Sequence, residues 1–347
     1  ESATLQKMRL VVRLFEKAVF DSTVQFAVIH PGKPQNLSFF NDSLKININP
    51  QALYDTLIFT VEKNESFLRL RDSIPLLSPH YQFSWYPQAL RKPLNFTIKY
   101  LPNDLPPASI GCYALNGSGR FNFLGAKVDT LNHIVSFKSK GFKNFLALSD
   151  TVPPVVEILR PKAGQSYKNL KFVKISVDDS LSSLDSDLNF RIFIDDQWLI
   201  PEWDPERKLV MAIPHWPLDN GKHQLQVEVK DQAGNEALIM NPENLGPFKV
   251  DKTPPEITVT RTPTPNANGW NNTTPVTVSF NVSDNVSGVD FNQTFLPDST
   301  TYTDEIVGDT LTAVAYDNAG NSTSLTEVVN IDTTPPTVTI IAPAAGN

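Results

Sequence analysis

The sequence predicts an all-β fold class, a row of tandem β-sandwich domains, and three observations carry that prediction. Proline outnumbers glycine by 28 to 15 in 347 residues, and so many fixed-φ residues without a backbone donor break long helices repeatedly. Short runs of alternating apolar and polar residues recur between turn clusters, which is the period of half-buried strands. A punctuation mark also returns along the chain: D-T-V-P-P at Asp150 to Pro154, D-K-T-P-P at Asp251 to Pro255 and D-T-T-P-P at Asp332 to Pro336. A double proline cannot enter a central strand, but it sets an extended entry to an edge strand. The β-branched runs V-V-E-I-L, E-I-T-V-T and T-V-T-I-I follow the three marks, so each reads as a domain start.

Taken in order, residues 1–35 form an N-terminal extension. Met8, Leu10, Val12 and Leu14 alternate with Arg9 and Arg13 as in a strand, although Leu5, Met8, Val12, Phe15 and Val19 also fit one helical face. Residues 36–150 form a first β-sandwich module, with a hairpin expected over Cys112 to Leu124 around N-G-S-G. Residues 151–250 and 251–331 each carry short strands every 8 to 12 residues, the pattern of an immunoglobulin-like sandwich of about seven strands. Both contain a second repeated device near their ends: L-Q-V-E-V-K-D-Q-A-G-N-E-A at Leu225 to Ala237 and L-T-A-V-A-Y-D-N-A-G-N-S-T at Leu311 to Thr323. In each, a strand runs into D-x-A-G-N, where Gly and Asn tolerate the positive φ of a tight hairpin. Residues 332–347 read as the first strand of a further repeat or as a donated strand. Glu1, where a nascent chain has Met, suggests a processed or excised polypeptide.

The D-[TK]-T-P-P openings and terminal D-x-A-G-N hairpins resemble the tandem bacterial immunoglobulin-like repeats of large secreted and surface proteins. Residues 36–150 resemble the sandwich domain of ankyrins and netrin receptors, through I-N-I-N-P-Q-A-L-Y, S-P-H-Y-Q-F-S-W, K-P-L-N-F-T-I-K-Y and F-K-N-F-L-A-L-S-D in that order. A similar pairing with an I-D-x-x-W segment, here Ile194 to Trp198, occurs upstream of some zinc peptidoglycan endopeptidases. The resemblance implies an extracellular or cell-surface setting, and a stalk, spacer, adhesive module or exoenzyme appendage.

Charge and motifs narrow the chemistry. The net charge is −7, and no Lys or Arg follows Arg261 whereas nine acidic residues do, so the third domain lacks the cations that nucleic acid binding requires. No apolar run approaches the roughly 18 residues of a membrane helix. The single Cys112 excludes an intrachain disulfide, and His30, His80, His133, His215 and His223 fit no zinc motif. The hydrolase-elbow, Walker and dinucleotide motifs are absent, and the expectation is a protein without catalysis. Two acidic loops are candidate calcium ligands, Asp178, Asp179, Asp185 and Asp187 in the second domain and Asp284, Asp290, Asp317 and Asp332 in the third, because a hard cation would offset clustered carboxylates. Trp198, Trp203 and Trp216 are candidate ligand-binding residues, since exposed flat rings stack on sugar faces, although such rings also fill sandwich cores. Eleven N-x-S/T sequons mark polar strands and turns, or surface acceptors in a glycosylating host.

The function expected is a structural or adhesive segment of an extracellular bacterial surface protein or fibre, a rigid stalk with strand donation as a route to filaments. The alternative is a carbohydrate- or cell-wall-binding accessory region of a secreted exoenzyme. The corresponding partners are other copies or adjoining domains of the same polypeptide, or glycan and cell wall.

Overall fold

A computed structural model describes residues 5–14, 17–65, 74–85, 89–116, 120–240 and 247–339. Apart from two 3-10 turns, at Pro107–Ser109 and Asp187–Asn189, its regular structure is strand throughout. Among the described residues no helix is long and apolar enough to cross a membrane.

The first sandwich faces a seven-stranded sheet against a five-stranded one. The larger runs in the order Leu5–Leu14, Lys17–Ile29, Leu57–Asn64, His80–Trp85, Asn144–Ser149, Ile110–Leu115, Phe121–Phe123. The smaller runs Lys127–Asp129, Ile134–Ser139, Leu94–Lys99, Leu44–Ile48, Gln35–Phe39. The N-terminal segment is strand rather than helix and pairs within the chain, Leu5 opposite Ala27 in an antiparallel hairpin. Its second strand continues into the sheet beside Leu57–Asn64, burying Ala27 and Ile29 in the core, so the sandwich reaches back past residue 35. The core is rich in phenylalanine, with Phe59 stacked on Phe142 at 4.5 Å and Phe96 on Phe137 at 5.2 Å. Cys112 is wholly buried there, and burial pushes its thiol pKa well up.

The second sandwich sets the sheet Val155–Arg160, Val173–Asp178, Leu209–Ala212, Pro201–Asp204 against Gln197–Leu199, Phe190–Ile194, Leu225–Lys230, Glu236–Met240. A third small sheet, Ser166–Tyr167, Phe248–Val250, Gly221–His223, closes the side. Its core is aliphatic, and strict alternation in Val173–Asp178 and Leu225–Lys230 sends every second residue inward.

The third sandwich is the thinnest, pairing Glu256–Thr262, Val276–Ser283, Thr300–Tyr302 with Trp270–Asn271, Ser322–Ile331, Ile306–Tyr316. Its cluster of fully buried residues is Val276, Val278, Val329 and Ile331. Arg261 is buried beside it and donates to the carbonyls of Gly269, Val328 and Asn330 and to Glu327. The guanidinium therefore cross-links the two sheets where apolar packing is sparse.

The terminal mark ends as an extended stretch: residues 332–339 form no strand, and residues 340–347 lie outside the described residues.

Candidate functional site

The two repeated motifs meet in space. In each D-x-x-P-P mark the Asp side chain caps its own turn: Asp150 Oδ1 accepts from the Val152 amide, Asp251 Oδ1 from Thr253 and Asp332 Oδ1 from Thr334, all at 3.0 Å. Asp150 and Asp251 are completely buried. In each D-x-A-G-N hairpin the Asp is held by the Asn. Asp231 accepts from the Asn235 amide and side chain, both at 2.8 Å, and Asp317 accepts the same pair from Asn321, both at 2.7 Å. The same carboxamides then donate to the first motif, Asn235 to the Asp150 carbonyl at 3.1 Å and Asn321 to the Asp251 carbonyl at 2.8 Å. The hairpin is thereby tied to the start of its own sandwich.

A loop aspartate completes each group. Asp179 Oδ1 accepts from the amides of Leu181 and Ser183, and Asp284 Oδ1 accepts from Val286 and Gly288 in the same way. Each of Asp150, Asp179 and Asp231 brings a carboxylate oxygen within 4.8 Å of the others, and Asp251, Asp284 and Asp317 repeat the arrangement. Among the described residues no Lys or Arg pairs with any of the six. Two unit charges at this spacing repel by roughly 3 kcal/mol at an effective dielectric near 20. Burial raises the pKa of Asp179, opposed by its backbone hydrogen bonds and reinforced by Asp150 and Asp231. Burial likewise raises that of Asp231, with Asp150 adding to it. Asn321, 1% exposed, leaves its own Oδ1 without a hydrogen-bond partner. Hard oxygen donors of this kind suit a calcium ion.

Both groups lie where one sandwich meets the next. Asp150 follows the last strand of the first domain, and its carboxylate accepts from the Ser182 hydroxyl, which also bonds the Tyr113 hydroxyl of that domain at 2.9 Å. Leu181, from the same loop, packs on Tyr113, Leu146 and Leu148. At the second junction Asp251 accepts from the Ser287 amide, and Lys249 reaches across to the Val286 carbonyl at 2.8 Å. The loop of each D-x-x-P-P domain thus grips its predecessor.

Of the eight acidic residues picked from sequence, the structure brings together Asp179 in one group and Asp284 with Asp317 in the other. Asp178 points to solvent and pairs with Lys208. Asp185 is exposed, and Asp187 accepts from the Trp203 amide at 2.7 Å. Asp290 caps a local turn through Asn292 and Gln293, and Asp332 is exposed. Asp150, Asp231 and Asp251 were the residues missed, although they are the leading letters of the two repeated motifs. Of the sequons, Asn321 and Asn271 are buried, so neither is a surface acceptor.

The three tryptophans do not share a surface strip. Trp198 is 52% exposed on the strand Gln197–Leu199, whereas Trp203 stands on a strand of the opposite sheet and packs against Phe190 at 5.1 Å. Trp216 lies in the loop after Leu209–Ala212, half-buried against the core, and lines an open cavity of about 670 Å3. Trp270 is half-buried, and the Trp85 side chain lies outside the described residues.

Fold and site together define a multi-domain β-sandwich protein with duplicated carboxylate junctions. No family model matches the chain, and no curated protein does. Among solved structures, dimeric latent PorU from Porphyromonas gingivalis is similar at 11% identity, covering 70% of this chain and 32% of that one, with a TM-score of 0.23. The match therefore spans about a third of the PorU chain.

Proposed function

We propose that this chain is a non-catalytic, extracellular structural segment, a stalk whose consecutive sandwiches are held at fixed angles by cation-binding joints. The observation that carries the reading is the duplication of one joint: the same Asp, Asp, Asp and Asn, bonded to the same backbone positions, recur at both junctions. A binding cleft has no need to be copied at successive domain boundaries, whereas a hinge that must be stiffened does.

Calcium is the cation of choice for such a joint. Two buried carboxylates and one half-buried one provide hard oxygens in an otherwise repulsive cluster, and millimolar calcium outside the cell suffices for extracellular modules of weak affinity. Each ion relieves repulsion in its own sandwich and, because the loop that carries Asp179 or Asp284 also touches the preceding domain, transmits that order across the joint. Small-angle scattering tests the reading: the pair-distance distribution should be narrow and extended in calcium and shorter and broader after chelation. An identical distribution in both states would refute it.

A second reading, attachment of the segment to carbohydrate, is favoured by one feature, the open cavity walled by Trp216. The cavity lies at the end of the second sandwich that carries Lys252, beside the second junction.

A further inference from the structure

We propose that the cavity beside Trp216 binds an acidic saccharide, one carrying carboxylate or phosphate on its sugar units. This rests on the carbohydrate reading and adds the charge class of the ligand.

Two short segments build the walls. Residues 168–171 connect the strands Ser166–Tyr167 and Val173–Asp178, and residues 214–218 connect Leu209–Ala212 to Gly221–His223. Leu170 and Leu218 are buried in the second core and anchor both segments from beneath. Lys168 and Lys171, on either side of Leu170, are consequently turned outward and exposed. The third wall is Lys252, the second residue of the D-K-T-P-P mark, where the other two marks have Thr151 and Thr333. Its Nζ donates to the Leu218 carbonyl at 2.6 Å and its amide to Asn220 Oδ1 at 2.9 Å, so this ammonium is placed rather than free. Two of its three N–H donors remain for a ligand.

The cavity therefore combines an indole, supported from behind by the core, with three lysines and His215. Among the described residues no carboxylate lines it, in a chain with seven more acidic than basic residues. Its volume of about 670 Å3 falls in the range of small-ligand sites, roughly 300–1,000 Å3. An aromatic face accepts the apolar face of a sugar ring, and the surrounding ammonium groups accept its anion. A neutral glycan would leave the three cations unused, and an inorganic anion would leave the ring unused.

The test is calorimetric titration of the full chain with tri-galacturonate, a phosphorylated maltotriose, neutral maltotriose and inorganic phosphate. The proposal expects at least one acidic trisaccharide to bind about tenfold more tightly than maltotriose and than phosphate, with affinity falling as salt rises. The arms separate a carboxylate ligand from a phosphorylated one. Lys168→Gln with Lys171→Gln should weaken binding about tenfold; both side chains are exposed, so the fold is spared. Trp216→Leu keeps apolar packing while removing the flat ring and should weaken binding similarly, whereas Trp198→Ala should not. Equal binding of maltotriose, lost with Trp216→Leu, would overturn the acidic class and leave the carbohydrate reading standing. Binding of all anions alike without regard to Trp216, or no binding at all, would overturn both.

Discussion

Calcium should raise the melting temperature of the third sandwich, and Asp284→Ala should abolish that rise. This domain has little reserve: besides Ala313 and Ala315, its fully buried aliphatic residues are Val276, Val278, Val329 and Ile331, and each of these four contributes about 1.5–3 kcal/mol. Extracellular calcium modules have dissociation constants of about 10⁻⁴–10⁻³ M, so 10 mM calcium stabilises the bound state by about 1.4–2.7 kcal/mol. For a domain of about 80 residues, 1 kcal/mol moves the midpoint by about 4–8 °C, giving a rise of about 6–20 °C. Asp284→Ala removes the acceptor of the Val286 and Gly288 amides, a cost of about 1 kcal/mol for each. It also removes two repulsive pairs of roughly 3 kcal/mol each. In chelator the variant should therefore be the more stable of the two, by up to about 4 kcal/mol, and calcium, which raises only the parent, should narrow that gap. Differential scanning calorimetry in 10 mM calcium and in EDTA reads both effects. An unresponsive parent chain, or a variant that responds as fully as the parent, would refute the reasoning.

The first junction should show a pH signature. Asp179 and Asp231 have pKa values raised in the folded state, so without calcium the fold binds more protons than the unfolded chain between the ordinary carboxylate range and those raised values. The contribution of these two groups to stability in EDTA should then grow as pH falls through the raised values toward the ordinary carboxylate range, with the calcium effect shrinking over the same window; urea titrations at pH 7 and at successively lower pH check the sign. Arg261→Met should cost about 3–5 kcal/mol, because three carbonyls and Glu327 lose a buried charged donor, which a denaturant midpoint would reveal. Cys112 should resist thiol reagents until the first sandwich unfolds, since its raised pKa leaves almost no thiolate and the site is closed; alkylation followed by mass spectrometry measures this.

Much of the fold was legible because proline pairs and strand alternation act locally. The D-x-x-P-P marks fall at the starts of the second and third sandwiches, and the D-x-A-G-N hairpins lie where the sequence placed them. The N-terminal strand was ambiguous because Met8 and Val12 satisfy two periods; pairing with Lys17–Ile29 settles it as strand. The carboxylate groups were only half legible. Asp178 and Asp179 are neighbours in sequence, but the strand Val173–Asp178 ends between them, leaving the first exposed and the second in the loop at the joint. Asp150 and Asp231 come from opposite ends of a domain, and only the hairpin folding back on the proline mark brings them together. Their repetition at matching places in two domains was the available signal. The tryptophans could not be sorted from sequence because adjacent strands belong to opposite sheets: Trp198 faces water while Trp203 enters the core.

The most direct test of the joint is the number of calcium ions bound per chain, counted by equilibrium dialysis with metal analysis. Two should bind to the parent, one to Asp179→Ala, one to Asp284→Ala and none to the double variant. Two ions retained in the double variant, or none in the parent, would contradict the assignment.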